Sequence, residues 1–135
     1  MIEALKNTDI GLLVLRALPG LLLFVAHGWS KMTRVPGIFQ SFPDPIGVGS
    51  TLSAGLAIFA EVVCALLVAI GLFTRLAAVP IVILLLVAAF IVHADDPWGK
   101  KEFALIYCVP FLVLIFTGPG KYSLDSLIRK KRGIE

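Results

Sequence analysis

Apolar residues in this chain do not alternate with polar ones at strand spacing, nor stripe one face of a surface helix. They run on almost without a break and are divided by short polar stretches. Four runs stand out, about Thr8 to Met32, Ser50 to Phe73, Thr74 to Ala94 and Gly99 to Thr117. Each is long enough for a helix across a hydrocarbon layer ~30 Å thick, at a rise of ~1.5 Å per residue. The fourth is the shortest, so Lys100 and Lys101 at its start are expected to reach toward headgroups. The pattern predicts an all-α fold: an integral membrane four-helix bundle forming one domain over residues 1–135, with 118–135 as a tail.

The punctuation agrees with this division. Thr8 or Asp9 can cap the first span, and Ser50, Thr51 and Ser53 open the second. Gly71-Leu72-Phe73-Thr74-Arg75 leaves room only for a tight turn between the second and third. Pro19, Pro80 and Pro110 fall inside spans, where neighbouring groups can satisfy the freed carbonyls, and local kinks are expected. The segment 33–49 holds Pro36, Pro43 and Pro45 with Ile38, Phe39 and Phe42, and reads either as a surface loop or as a lid on the bundle. Gly118-Pro119-Gly120 ends the last span. Ser123 is then a plausible N-cap for a short amphipathic segment carrying Leu124, Leu127 and Ile128, followed by the basic run Arg129-Lys130-Lys131-Arg132 that would meet anionic headgroups.

Four spans put both termini on one side. That side carries Lys6, Arg75, Lys121, Arg129, Lys130, Lys131 and Arg132, against Lys31, Arg34, Lys100 and Lys101 on the other. The positive-inside rule then sets both termini in the cytoplasm. Composition supports a multi-pass protein of the cell membrane. Of 135 residues 59% are hydrophobic, and the mean hydropathy is +0.97, well above a soluble domain. The net charge of +3 is scattered, with no basic stripe for nucleic acid. No cleavable leader is expected at Met1-Ile2-Glu3-Ala4-Leu5-Lys6, which lacks a strongly basic start. Cys64 and Cys108 lie inside apolar runs without a Cys-x-x-Cys spacing, so neither a zinc site nor a dithiol motif is indicated.

Five ionisable residues lie in or at the rims of the spans: Arg16, His27, Glu61, His93 and Glu102. Charge in hydrocarbon costs roughly 2.5–3.5 kcal/mol on insertion scales, so such groups face an interior, a partner or a cavity. Counting rises from the cytoplasmic end, Arg16 lies at roughly 10 Å, Glu61 at roughly 18 Å, Glu102 at roughly 24 Å, and His27 and His93 at roughly 27 Å. Arg16, Gly20, Leu23, His27 and Lys31 share one helix stripe, and small residues around Glu61 (Ala54, Ala57, Cys64, Ala65) should face into the bundle. Each group also has a structural reading. Glu61 can be a buried carboxylate ion-paired with Arg16, the histidines can be interfacial, and Glu102 can simply begin a helix.

The order of motifs along nearly the whole chain resembles the DoxX family of small four-span membrane proteins. The matching residues are Leu15-Arg16-x-x-x-Gly20 with Phe24-x-x-His27-Gly28-x-x-Lys31, then Ala60-Glu61 leading to Gly71-Leu72-x-Thr74-Arg75, then Glu102, and finally Gly118-Pro119-Gly120-Lys121-x-Ser123-Leu124-Asp125. The resemblance implies a role near redox chemistry, as part of assemblies linked to quinones or sulfur compounds.

Two functional classes follow. In the first, the protein is a redox-associated subunit of a quinone-linked oxidoreductase complex, binding a quinone or a small sulfur species between its helices. His27 and Glu61 are then the catalytic candidates, and His27, Lys31, Glu61, His93 and Glu102 the ligand-binding set. In the second, it is a noncatalytic scaffold that recruits a partner oxidoreductase through the small-residue face of span two and the basic tail. A third reading, b-type haem held by His27 and His93, has only their common level in its favour. No metal site is indicated. The expected partners are the lipid bilayer and a redox protein, and a homo-oligomer is compatible with the pattern.

Overall fold

The computed structural model describes Glu3 and residues 7–134. The expected uncleaved opening at Met1–Lys6 lies, Glu3 apart, outside them. Four long helices form the bundle: α1 (Thr8–Met32), α3 (Ser50–Ile70), α4 (Thr74–Val92) and α5 (Trp98–Thr117). A single turn, α2 (Ile38–Ser41), interrupts the loop after α1, and a short α6 (Leu124–Lys131) follows α5. No strand occurs among the described residues. Helices α1, α3 and α4 are each long and apolar enough to cross a membrane. α5 has 20 residues, about 30 Å of helix, and carries Lys100, Lys101 and Glu102 in its first turns.

The helix ends follow local chemistry. The Asn7 side chain accepts from the amides of Asp9 and Ile10, so Asn7, rather than Thr8 or Asp9, caps α1. α3 stops at Ile70, three residues before the expected end of its span, because Gly71 takes a left-handed conformation (φ 77°) that lets Leu67 O accept from both Gly71 N and Leu72 N. Ser123 caps α6 as expected, accepting from Ser126 N at 3.2 Å.

α1, α4 and α5 run through Pro19, Pro80 and Pro110 without breaking. The departures from α geometry lie elsewhere. Wider π turns occupy Phe24–Gly28 in α1, Phe59–Cys64 in α3 and Ala88–Val92 in α4. Such segments shift the side chains that follow around the helix and recur at functional sites.

α1 and α3 approach to backbone contact. A Cβ at Gly20 would stand 2.9 Å from Ala65 O, and one at Gly28 would stand 2.5 Å from Glu61 O. The small-residue face of α3 lies inside this seam and the core, with Ala54, Ala57, Cys64, Ala65 and Val68 all buried. Leu23, Ile81, Phe111 and Leu114 fill the core around them, and Cys64 and Cys108 are buried as free thiols in the same cluster.

Where α6 leaves the bundle, polar side chains close the structure. Arg16 is 1% exposed and donates to Ala69 O at 2.6 Å and to Tyr122 O. The Asp125 carboxylate accepts from Phe73 N, Thr74 N and Thr74 Oγ1 at 2.8–3.0 Å, and Asp125 N donates to Gly71 O. Asp9 Oδ1 accepts from Lys121 N at 2.9 Å. The tail is therefore docked on the α3–α4 turn.

The close seam makes a test. Gly28→Ala should lower stability by about 1–3 kcal/mol, because its methyl group meets the Glu61 backbone. Gly11→Ala, which meets nothing within 4 Å, should be neutral or stabilising by up to about 1 kcal/mol. Thermal unfolding in mild detergent reads both, and equal midpoints for the two variants would refute the seam.

Candidate functional site

The end of the bundle away from α6 is hollow. A cavity of about 260 Å³ lies between α1, α3, α4 and α5, lined mostly by apolar side chains such as Leu23, Leu84, Leu85 and Val92. Five Lys, His or Glu side chains reach it: His27, Lys31, Glu61, His93 and Lys100. The π segments of α1 and α3 carry two of them, His27 and Glu61.

Glu61 is 7% exposed, and its Oε2 lies 2.6 Å from Lys31 Nζ. At this distance the two groups form an ion pair at the rim of the cavity. The expected Arg16–Glu61 pair is thus corrected. Ala69, which receives Arg16, is eight residues past Glu61, about 12 Å further along α3. Arg16 lies at that lower level and bonds carbonyls there, while Lys31 folds its stem inward to Glu61.

His27 sits between α1 and α5, its ring edge-on to Tyr107 at 5.9 Å and tilted against Phe103 at 6.4 Å. His93 also borders the cavity, but its Nδ1 is 2.6 Å from Asp96 Oδ2, and Lys100 Nζ is 3.9 Å from the same oxygen. The hydrogen bond from His93 in the first place, and the nearby Lys100, hold the Asp96 carboxyl below the usual range against partial desolvation. Glu102 is exposed and outside the lining. Phe103, Ala104 and Tyr107 of α5 turn to the cavity, and one helical step of about 100° carries Glu102 away from them.

The loop 33–49 acts as the lid of the two alternatives. Phe42 and Pro45 line the cavity. Between them Asp44 accepts from Val48 N at 2.9 Å, Gly49 N at 2.8 Å and Ser53 Oγ at 2.9 Å, which ties the roof to α3. Asp44, Tyr107, Phe103 and Lys100 were not among the candidates from sequence. Spacing of four from Phe103 to Tyr107, and Asp44 among Pro45, Gly47 and Gly49, were the signals available.

Comparison with known proteins bears on this arrangement. The sequence model of the DoxX family matches residues 11–94. The chain belongs to the DoxX family. The inner membrane protein YqjF of Escherichia coli (strain K12) is 33% identical over 130 residues, covering 93% of this chain and 98% of its own. "Putative oxidoreductase CatD" of Bacillus subtilis (strain 168) is 32% identical over 126 residues, covering 93% and 92%. The inner membrane protein YphA of E. coli is 32% identical over 137 residues, covering 91% and 98%. No solved structure matches the chain. This DoxX protein is a multi-pass membrane protein, as its hydropathy predicted. Its motifs divide between two places: Arg16, Gly71, Thr74 and Gly118–Asp125 build the docked tail, whereas His27, Lys31 and Glu61 surround the cavity.

Two outcomes are expected. Lys31→Met strands the Glu61 carboxylate and should cost about 3–5 kcal/mol, most of it recovered in Lys31→Met/Glu61→Gln. Chemical unfolding in detergent checks this, and equal stability of the single and double variants would show the pair to be idle. At the roof, the Gly49 amide chiefly, then Ser53 Oγ and Val48 N, hold the Asp44 carboxyl below its ordinary value against desolvation. A depressed folded pKa means the stabilisation is complete above the unfolded value of about 3.9 and is lost as pH falls through the folded one. Hydrogen exchange across 42–49 should be protected from neutral pH down to the carboxylate range and lose protection below it; Asp44→Ala should be unprotected throughout.

Proposed function

We propose that this protein is a redox-associated membrane subunit that binds a quinone, or a small sulfur species, in the cavity beneath the Phe42–Pro45 roof. The observation that carries the reading is the largely buried Lys31–Glu61 ion pair, set at an apolar cavity beside His27. Reduction of a quinone to a quinol takes two electrons and two protons. A partner enzyme supplies the electrons, and the titratable groups at the cavity supply a route for the protons. Lys31 and His27 offer donors to a carbonyl or an anion, Glu61 accepts a proton, and Tyr107 and Phe103 offer faces for a ring. The name of the B. subtilis relative supports an oxidoreductase setting.

The size favours a ring or small ion. At about 260 Å³ the cavity falls just under the usual small-molecule range of about 300–1,000 Å³. A haem would need more room, and His93 already engages Asp96. The small-residue face of α3 is buried within the bundle, which leaves the scaffold alternative only the basic tail as a working surface. In this reading both termini face the cytoplasm, by the bias of basic residues, and the cavity opens toward the outer side.

The test is binding of a short-chain quinone and of thiosulfate to the purified protein in detergent. One of them should bind, and His27→Ala and Glu61→Gln should each weaken it about tenfold or more, ~1.4 kcal/mol. No binding of either probe, or binding indifferent to both substitutions, would overturn the reading.

A further inference from the structure

The tail end of the bundle holds a second, separate recess of about 440 Å³. Arg75 of α4, Lys121 of the connecting segment, and Arg129 and Lys130 of α6 line it, against one carboxylate, Asp9. Asp9 is already occupied by Lys121 N. None of the four basic side chains has a carboxylate at ion-pair distance among the described residues. Gathering four cations around one recess is unfavourable by mutual repulsion unless an anion enters.

The recess is built rather than incidental. Gly118 has no side chain, and the Arg75 guanidinium occupies that space: a Cβ there would be 3.1 Å from Arg75 Nε and 3.2 Å from Nη2. Asp125 fixes α6 to the start of α4 through Phe73 N, Thr74 N and Thr74 Oγ1. Arg129, one turn beyond Asp125, is thereby held opposite Arg75. The two arginines also line an adjoining groove, whose other charged residues are Arg132 and the already bonded Asp125, and which continues past Phe73, Leu76 and Ile128. Phe73 and Leu76 are 62% and 73% exposed, which suits acyl chains and would be costly in water.

We propose that this recess is a binding site for the phosphate of an anionic phospholipid. Arg75 and Arg129 grip the phosphate, Lys121 and Lys130 add charge, and an acyl chain runs along Phe73, Leu76 and Ile128. Guanidinium groups suit phosphate because their planar forks offer paired donors. The apolar stretch of the adjoining groove, Phe73, Leu76 and Ile128, distinguishes a lipid from free phosphate, which would have no use for it. The inference differs from diffuse attraction of a basic tail to headgroups, because it places Arg75 and Gly118, outside the tail helix, at its centre.

The full chain in nanodiscs of phosphatidylcholine with a minor fraction of phosphatidylglycerol, released into native mass spectrometry, reads the site directly. Phosphatidylglycerol should be retained in preference to phosphatidylcholine. Arg75→Gln/Arg129→Gln should cut that retention about tenfold, the loss of charge-assisted hydrogen bonds. Arg75→Lys, which keeps the charge and spares the fold, should fall between. Lys131→Gln lines neither groove and should leave retention unchanged. Retention that survives the double substitution, or that Lys131→Gln reduces equally, would overturn the site in favour of diffuse attraction. Displacement of the lipid by millimolar inorganic phosphate would overturn its assignment to a lipid.

Discussion

The backbone contact between α1 and α3 governs the rest of the structure. In hydrocarbon there is no hydrophobic drive to bring helices together, so association relies on close packing and polar contacts. Gly20 and Gly28 remove the side chains that would hold the two helices apart, and α3 meets them with Ala65, Ala69 and the Glu61 backbone. That contact sets the register. It places Arg16 level with Ala69 O and brings Lys31 within reach of Glu61. A shift of one turn, about 5.4 Å, would undo both.

The two ends of the bundle use polar residues in opposite ways. At the tail end, Arg16, Asp125 and Asp9 bond backbone groups of neighbouring segments, Thr74 Oγ1 donates to Asp125, and the tail is pinned to the bundle. At the other end the α1–α3 seam stays tight at Gly28, and the gap lies between that seam and α4 and α5. The gap is left to long side chains, Lys31 and the aromatic rings of Phe103 and Tyr107, and to a roof held by Asp44. At the tail end the buried Arg16 donates from Nη1 and Nη2 to carbonyls, while its Nε meets no acceptor. At the cavity end the buried Glu61 carboxylate has the Lys31 ammonium as its partner.

Much of the fold was legible in the sequence. The helix count, the tight turn at Gly71–Phe73, the Ser123 cap and the inward face of Ala54, Ala57 and Ala65 all follow from spacing and turn chemistry. The site was legible in part. His27, Lys31, Glu61 and His93 were candidates by height and stripe, and they do border one cavity. Glu102 was placed at the right level but on the wrong side, because height along a helix says nothing of rotation about it. The π segments had no signal in the prolines, which the helices pass through intact.

What the sequence determined by itself is the set of long helices and the position of each charge along its helix. Peptide groups in hydrocarbon must bond within their own segment, so a long apolar run has one outcome, and rise per residue then sets height. Only the tertiary structure decided which cation meets Glu61. Arg16 and Lys31 share one stripe of α1, and both are long enough to serve. The choice rests on how closely α1 approaches α3 and in what register, which is a property of two surfaces fitted together at Gly20 and Gly28 and of neither helix alone.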